Sequence, residues 1–424
     1  MNDTLSSQGI VPANDSHAFR SLKHRNYRYY FFAQLLSLTG SWTQTTALMW
    51  LAYSAEGQSL WPSLIAALQV LPGFFLGPWG GILSDRYPRK KLIIITQILF
   101  LFQSLGLFFA VFYGFTSPLI LIAFSLLWGI INAIDFPARL SFLVEMVGMP
   151  DLFNAVALNS LQFNLARLAG PAIGALLLSN YGPEACFLVN TFSYLLLILA
   201  LGMMNQATMF QEPSLRTNAS LFDGLKFILA RSDLVLVISI AGGMALLGWP
   251  LLALLPGFVE KELGLGQEAY GTLLSGVGGG ALTSALILAT LGNKASKGIS
   301  QSLGMLLAGA GLFTLGISNS IFFALPCAVL FGAGMILFFA TSQGLVQLGA
   351  GTTHRGLVLG IWSMMLCSMV PLGNFLAGPL ADIFTVRCVM LTQAVLIWIL
   401  LMLFIILKIR RNPNRIRLAS NKAL

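Results

Sequence analysis

Apolar runs of about twenty residues, separated by short polar or charged connectors, occupy the chain from residue 29 to residue 409. Read against clusters of turn and charged residues, the runs fall at 29–54, 64–84, 92–113, 118–135, 154–178 and 185–204. A more polar stretch follows, and then runs at 234–255, 270–291, 301–317, 321–340, 357–383 and 388–409. Each is long enough to cross a bilayer as a helix, which needs roughly 20 apolar residues. Glycine and proline recur inside the runs, which neighbouring helices in a membrane tolerate better than water does. The pattern predicts an all-α membrane protein of twelve transmembrane helices.

Composition agrees. Of 424 residues, 57% are hydrophobic and 9% charged, against about a quarter charged in soluble domains. Lipid is therefore the expected surroundings. The connectors leave no room for a separate soluble domain. The expected organisation is a tail at 1–28, six helices over 29–204, a linker at 205–233, six more helices over 234–409 and a basic tail at 410–424. The first 25 residues are polar, with no apolar core for a cleavable signal peptide, so the first run is expected to stay in the membrane. Within the linker, Leu221, Phe222, Leu225, Ile228 and Leu229 share one helical face, opposite Asp223 and Lys226, with Ser220 placed to cap. That pattern suits a helix lying on the membrane surface and equally a short linker.

The charge distribution gives an orientation. With both ends inside, 21 of the 24 Lys and Arg residues fall on internal segments. Lys261 and Arg387 fall outside, and Arg167 lies within a run. Cationic loops resist crossing, so a multi-pass protein of the cell inner membrane with both termini cytoplasmic is expected. The same tally accounts for the net charge of +9, so a nucleic-acid partner is not needed. The four cysteines, Cys186, Cys327, Cys367 and Cys388, lack metal-ligand spacing and read as packing residues. No metal and no cofactor are expected. No HExxH, GxSxG or P-loop pattern marks an enzyme.

The two halves look related. Residues 154–178, with Gly170-Pro171 and Gly174, resemble 355–380, with Pro371, Gly373 and Gly378-Pro379, at an offset of about 200 residues. Parallel repeats of this kind flank a midplane site in transporters. Between the second and third runs stands Gly81-Ile82-Leu83-Ser84-Asp85-Arg86-Tyr87-Pro88-Arg89-Lys90-Lys91. This Gly-x-x-x-Asp-Arg-x-x-Arg-Lys pattern resembles the signature loop of the major facilitator superfamily, with Pro88 where many members have Gly. The loop of the second half, Gly292 to Lys297, keeps cations but no acid. The resemblance implies two six-helix pseudo-repeat bundles. It also implies a gating role for Gly81, Asp85, Arg86, Arg89 and Lys90, with Asp85 meeting the N-terminal end of the eleventh helix near Gly356, where the dipole favours an anion. The plain alternative is that Asp85 pairs with Arg86 or Arg89 in solvent.

Further phrases narrow the resemblance. Gly40-Ser41-Trp42-x-Gln44, Leu71-Pro72, Asp135-Phe136-Pro137-Ala138-Arg139 and Asn159-Ser160 through Arg167-Leu168-Ala169-Gly170-Pro171 are similar to the enterobactin-exporter-like branch, which includes siderophore exporters and multidrug pumps. Gly170, Pro171 and Gly174, preceded by Arg167, match part of the fifth-helix motif of family antiporters. Generic small-residue packing is the competing explanation.

Charges within a bilayer are costly and invite functional hypotheses. Arg167 is the deepest. It could pair with Asp135, attract an anionic substrate in a cavity, or snorkel outward. His17, His24 and His354 lie in a tail or loops, so Asp135, with Arg139 nearby, is the candidate for proton coupling. By resemblance, a cavity is expected along the first, fourth, seventh and tenth helices and their neighbours. The amide and aromatic candidates there are Gln34, Trp42, Gln44, Trp128, Asn132, Gln162, Asn164, Trp249, Trp362 and Asn374. Trp50 and Trp61 read as an interfacial belt. The sequence therefore leads to a monomeric, proton-gradient-driven exporter of drug-like compounds or siderophores, partnered by the bilayer and a small-molecule substrate. An importer or lipid transporter of the same fold, or a transport-inactive sensor, remains open.

Overall fold

A computed structural model describes residues 19–210, 221–291, 296–350 and 355–411. The outer parts of both tails, Ser220 and most of the 292–297 loop lie outside the described residues, with the expectations placed on them. The described residues are helical almost throughout and contain no strand.

The helices are α1 (Arg25–Glu56), α2 (Leu60–Arg86) and α3 (Arg89–Phe112), followed by the continuous stretch Pro118–Gly202. That stretch is three helices, because Gly148 (φ 70°) and Gly182 (φ 81°) leave helical geometry. Both angles lie in the left-handed region that glycine reaches without steric cost. The pieces are α4 (118–147), α5 (149–181) and α6 (183–202). The second half holds α7 (Ser232–Glu262), α8 (Gln267–Leu291), α9 (Lys297–Gly316), α10 (Ile321–Ala350), α11 (Arg355–Ile383) and α12 (Val386–Arg411). Among the described residues, ten candidate spans are long and apolar enough to cross a membrane. Splitting Asn154–Gly202 at Gly182 and adding α1, whose Ser, Thr and Gln content lowers its hydropathy, gives twelve.

Several boundaries correct the sequence reading. The run ending at Asp135 continues to residue 147, straight through Pro137. A proline in a membrane helix is tolerated where packing supplies what the lost backbone bond does not. Here Phe142, Leu143, Met146 and Val147 are buried against Tyr27, Tyr30 and Leu158, so Asp135 lies in mid-helix and not at an end. α7 is interrupted at Pro250 and ends in a π-turn over Phe258–Glu262. The linker helix Leu221–Leu229 docks on α11: Gly224 approaches Leu357 and Ile361, and Ile228 is buried in the core of the second half.

The two halves pack by the same rule. In the first, Gly170 of α5 lies against Thr39 and Trp42 of α1. In the second, Gly373 of α11 lies against Leu246 and Pro250 of α7. Small residues let helix backbones approach where no hydrophobic force separates helix from lipid. The correspondence of α5 with α11 and α1 with α7 is that of a repeat. One end of the bundle carries the start of α1, the Arg86–Lys91 loop and the close of α12; it is called here the basic end.

A polar network ties that end of the first half. Asp151 takes Arg20 at 2.8 Å, Lys23 at 3.0 Å and His24 at 2.8 Å. Asn26 exchanges hydrogen bonds with Asn205, and the Tyr27 hydroxyl donates to the Ala155 carbonyl. At the opposite end of the second half, Arg387 donates to Glu262, Gly316 and Asn319.

Candidate functional site: a cavity between two halves

The halves meet along two helix pairs, α2 with α11 and α5 with α8. Both pairs are closed from the end opposite the basic end down to mid-depth. On α5–α8, Gly271 abuts Ala175 and Pro171, and further down Gly278 abuts the Arg167 backbone. On α2–α11, Gly378 abuts Ser63 and Ser59, and at mid-depth a Cβ on Gly73 would stand 3.4 Å from the Cys367 sulfur. Toward the basic end of the α2–α11 pair, Gly77, Gly81 and Gly360 face open space.

The closed end is built from both halves. The Asp382 carboxylate, at the close of α11, accepts from the backbone N–H groups of Ser59 at 2.7 Å and Leu60 at 2.9 Å. These are first-turn donors of α2 with no partner inside their own helix, and the positive end of the helix dipole lies there. Trp50 of α1 stacks on Tyr270 of α8 with centroids 5.7 Å apart. Lys261 lies 5.9 Å from the Tyr53 ring centroid, and Gln267 donates to the Leu178 carbonyl. Four hydroxyls in this seam, those of Tyr53, Ser59, Ser63 and Tyr270, are buried without a hydrogen-bond partner. Each such group costs about 1–3 kcal/mol relative to a hydrated one, so the seam is closed but not deeply stabilised. Trp50 is thus a seam residue and not the belt residue expected; Trp61 donates to Glu56.

Below the seam lies a tight cavity lined by Trp42, Arg167, Trp249, Val277, Phe331 and Met335, among others. The Arg167 guanidinium carbon stands 5.4 Å from the Trp42 ring centroid, 5.0 Å from Phe163 and 5.3 Å from Trp249. Trp42 and Phe163 belong to the first half and Trp249 to the second, so the rings converge on one cation across the interface.

The remaining candidates separate. Gln44 is consumed inside the first half, where its amide oxygen accepts from Ser104 and Asn190 and its nitrogen donates to Gln103. Gln162 donates to the Phe31 carbonyl. Trp128 packs on Phe100 beside Tyr194. Gln34 and Asn374 are buried, each with an unpartnered amide oxygen, and Asn374 donates to its own helix at Val370. Asn164 is half-buried and bonds back to Ser160, Asn132 is half-buried, and Trp362 sits in the second half's core. Of the cavity candidates, Trp42 and Trp249 reach the site. Sequence alone could not select them, since an amide or indole at helical spacing does not announce which neighbour it faces.

Asp135 is fully buried and pairs with Arg139 one turn on. It accepts from Thr96 at 2.6 Å and Gln97 at 2.9 Å. The expected option of an Asp135–Arg167 pair is therefore corrected, because Asp135 is satisfied by its own helix and α3. In the signature loop, Arg89 reaches Glu145 at 3.0 Å and the Ser141 carbonyl, and Lys90 donates to the Met204 carbonyl at the close of α6. Asp85 is 70% exposed, with Arg89 at 3.9 Å, and Arg86 is exposed. Asp85 thus adopts the solvent pairing in this conformation. Gly170 and Gly174 pack on α1, and Pro171 offers its carbonyl to the close approach of Gly271.

Twelve helices in two repeated bundles, enclosing a central cavity with one end sealed, define a membrane transporter of the major facilitator class. The chain belongs to the transmembrane secretion effector family (MFS_3), which matches residues 16–423. It is 24% identical over 365 residues to the staphyloferrin A transporter of Staphylococcus aureus, covering 84% of this chain and 90% of that one. It is 25% identical over 373 residues to the enterobactin exporter EntS of Escherichia coli O1:K1, covering 85% and 86%. Among solved structures, the fold resembles a bacterial homologue of the human lysosomal transporter Spinster (TM-score 0.73, 14% identity, 89% of this chain and 96% of that one). It also resembles the nucleoside transporter NupG (TM-score 0.70, 13% identity, 90% and 98%).

Proposed function

We propose that this protein exports a small molecule, siderophore-like or drug-like, from the cell by alternating access, with the basic end cytoplasmic and a proton gradient as the driving force. The observation that carries the reading is the seam, closed on one side of the cavity along both inter-half helix pairs and open on the other along α2–α11. A rocking of the halves about mid-depth exposes the cavity to each side in turn. Export as the direction is supported by the enterobactin exporter among the relatives. An importer shares the architecture, and the assay of direction separates the two.

The direct test is movement of iron chelators and dyes in proteoliposomes of known orientation, with and without a pH gradient. Gradient-dependent movement from the basic-end side supports export. Movement only in the other direction contradicts it, and no movement of any compound favours a sensor.

Asp135 is the proposed coupling group, held as an ion pair that a proton would dissolve. Removing one member of a buried pair leaves the other uncompensated at about 3–5 kcal/mol, so Asp135→Asn is expected to lower thermal stability. The double variant Asp135→Asn, Arg139→Gln should restore part of that stability but not gradient-driven transport. Full gradient-driven transport in the double variant would remove the pair from coupling.

A further inference from the structure

Arg167 is anomalous in its surroundings. It is 8% exposed, lies halfway along α5, and among the described residues no carboxylate pairs with it. Its Nε has no hydrogen-bond partner. Every other buried or half-buried arginine described inside the bundle has an acidic mate: Arg89 with Glu145, Arg139 with Asp135, Arg387 with Glu262. An intramembrane cation is costly when unpaired. The three rings around Arg167 offset part of that cost through their faces, but they accept none of its five N–H donors in the plane of the guanidinium.

We infer that Arg167 is the anion-recognising residue of the central cavity and that the transported molecule carries an oxyanion on a flat, largely apolar body. The inference rests on the transport reading above for the word transported, but not for the binding site itself. A guanidinium presents paired donors that match a carboxylate or another two-oxygen anion. Trp42 and Phe163 on one half and Trp249 on the other supply flat apolar faces beside it, suited to holding an aromatic or acyl body by area. Without a bound anion the cation keeps its cage of rings. With one, the oxyanion takes the in-plane donors while the body spans from Trp42 to Trp249. The backbone of Arg167 also touches α8 at Gly278, so a ligand on this residue sits beside a contact between the two halves.

The test uses the purified full chain and three matched fluorescent probes: pyrenebutyrate, pyrenebutanamide and pyrenebutylamine. Binding is read by quenching of tryptophan emission. The wild-type protein is expected to bind the carboxylate at least tenfold more tightly than the amide, with the amine weakest. Arg167→Gln should bring the carboxylate-to-amide ratio within twofold of unity, and Arg167→Lys should retain part of the preference. An unchanged ratio in Arg167→Gln overturns the inference. So do equal losses for all probes, which mark a purely structural arginine, and a wild type without carboxylate preference or without quenching. Release of the same probes from proteoliposomes separates this inference from the transport reading. Arg167-dependent binding without movement leaves the anion site standing and sinks transport. Movement of the amide with no dependence on charge does the reverse.

Discussion

The two ends of the α2–α11 pair differ in what their acids do. The helices run antiparallel, so each places its C-terminal end beside the other's N-terminal end. At the end opposite the basic one, Asp382 of α11 caps the start of α2 with two hydrogen bonds. At the basic end, Asp85 of α2 is exposed and loosely paired with its own neighbour Arg89. The two acids occupy equivalent places in the helix pair, but only one is docked. The difference teaches that, of two equivalently placed acids, this conformation engages one. A rigid tilt that docked Asp85 on the start of α11 would pull Asp382 away from α2. The α5–α8 pair has no such acids and closes by backbone proximity instead, as at Gly271 and Gly278.

The largest expected effect comes from fixing the closed end. A Cβ on Gly257 would stand 2.8 Å from the Ser59 oxygen, close to the spacing that a disulfide requires. Under mild oxidation, Ser59→Cys with Gly257→Cys should cross-link and lower transport more than tenfold, and reduction should restore it. Gly77→Cys with Gly360→Cys, at the open end, should stay uncrosslinked under the same conditions. Gel mobility and flux report both outcomes.

Wedging the seam should have the next largest effect. A valine at Gly271 has no space against Ala175 and Pro171, and overpacking of this kind costs about 1–3 kcal/mol. Gly271→Val should raise the accessibility of Trp50 and Tyr270 to a water-soluble quencher or labelling reagent several-fold. Protection equal to wild type would show that the α5–α8 seam does not control that end.

The caps themselves should be the most modest. A helix cap is worth about 1 kcal/mol, and less when exposed, as Asp382 is. Asp382→Asn should shift the population toward the other conformation by less than about tenfold. Asp85→Asn should shift it the opposite way or leave it unchanged, while transport falls in both. Identical shifts would break the comparison.

Much of the architecture was legible because a membrane helix records itself in twenty consecutive residues. The cationic loops and the Gly81–Lys91 pattern did the same for the order of the bundles. The limits have physical causes. Asp135 read as a helix end because proline follows it at 137, yet the helix is carried on by packing from Phe142 and Met146, which no local window contains. Gln44 and Gln162 read as cavity groups, yet the Gln44 amide is bonded to Ser104, Asn190 and Gln103 and the Gln162 nitrogen to the Phe31 carbonyl, all within the first half. Arg167 was visible as a deep charge, but its three rings come from three helices and two halves. Asp382 stands at the close of the 357–383 run; its partners are backbone donors more than three hundred residues earlier, and backbone donors leave no mark in sequence.

The central claim is that the two ends open and close in opposition, and paired distances test it most directly. Spin labels at Tyr87 and Leu348 report the basic end, and labels at Tyr181 and Phe322 report the opposite end; all four side chains are exposed. Introducing Asp382→Asn is predicted to lengthen the Tyr181–Phe322 distance and to shorten the Tyr87–Leu348 distance. Two distances that stay fixed, or that change in the same direction, would contradict the account.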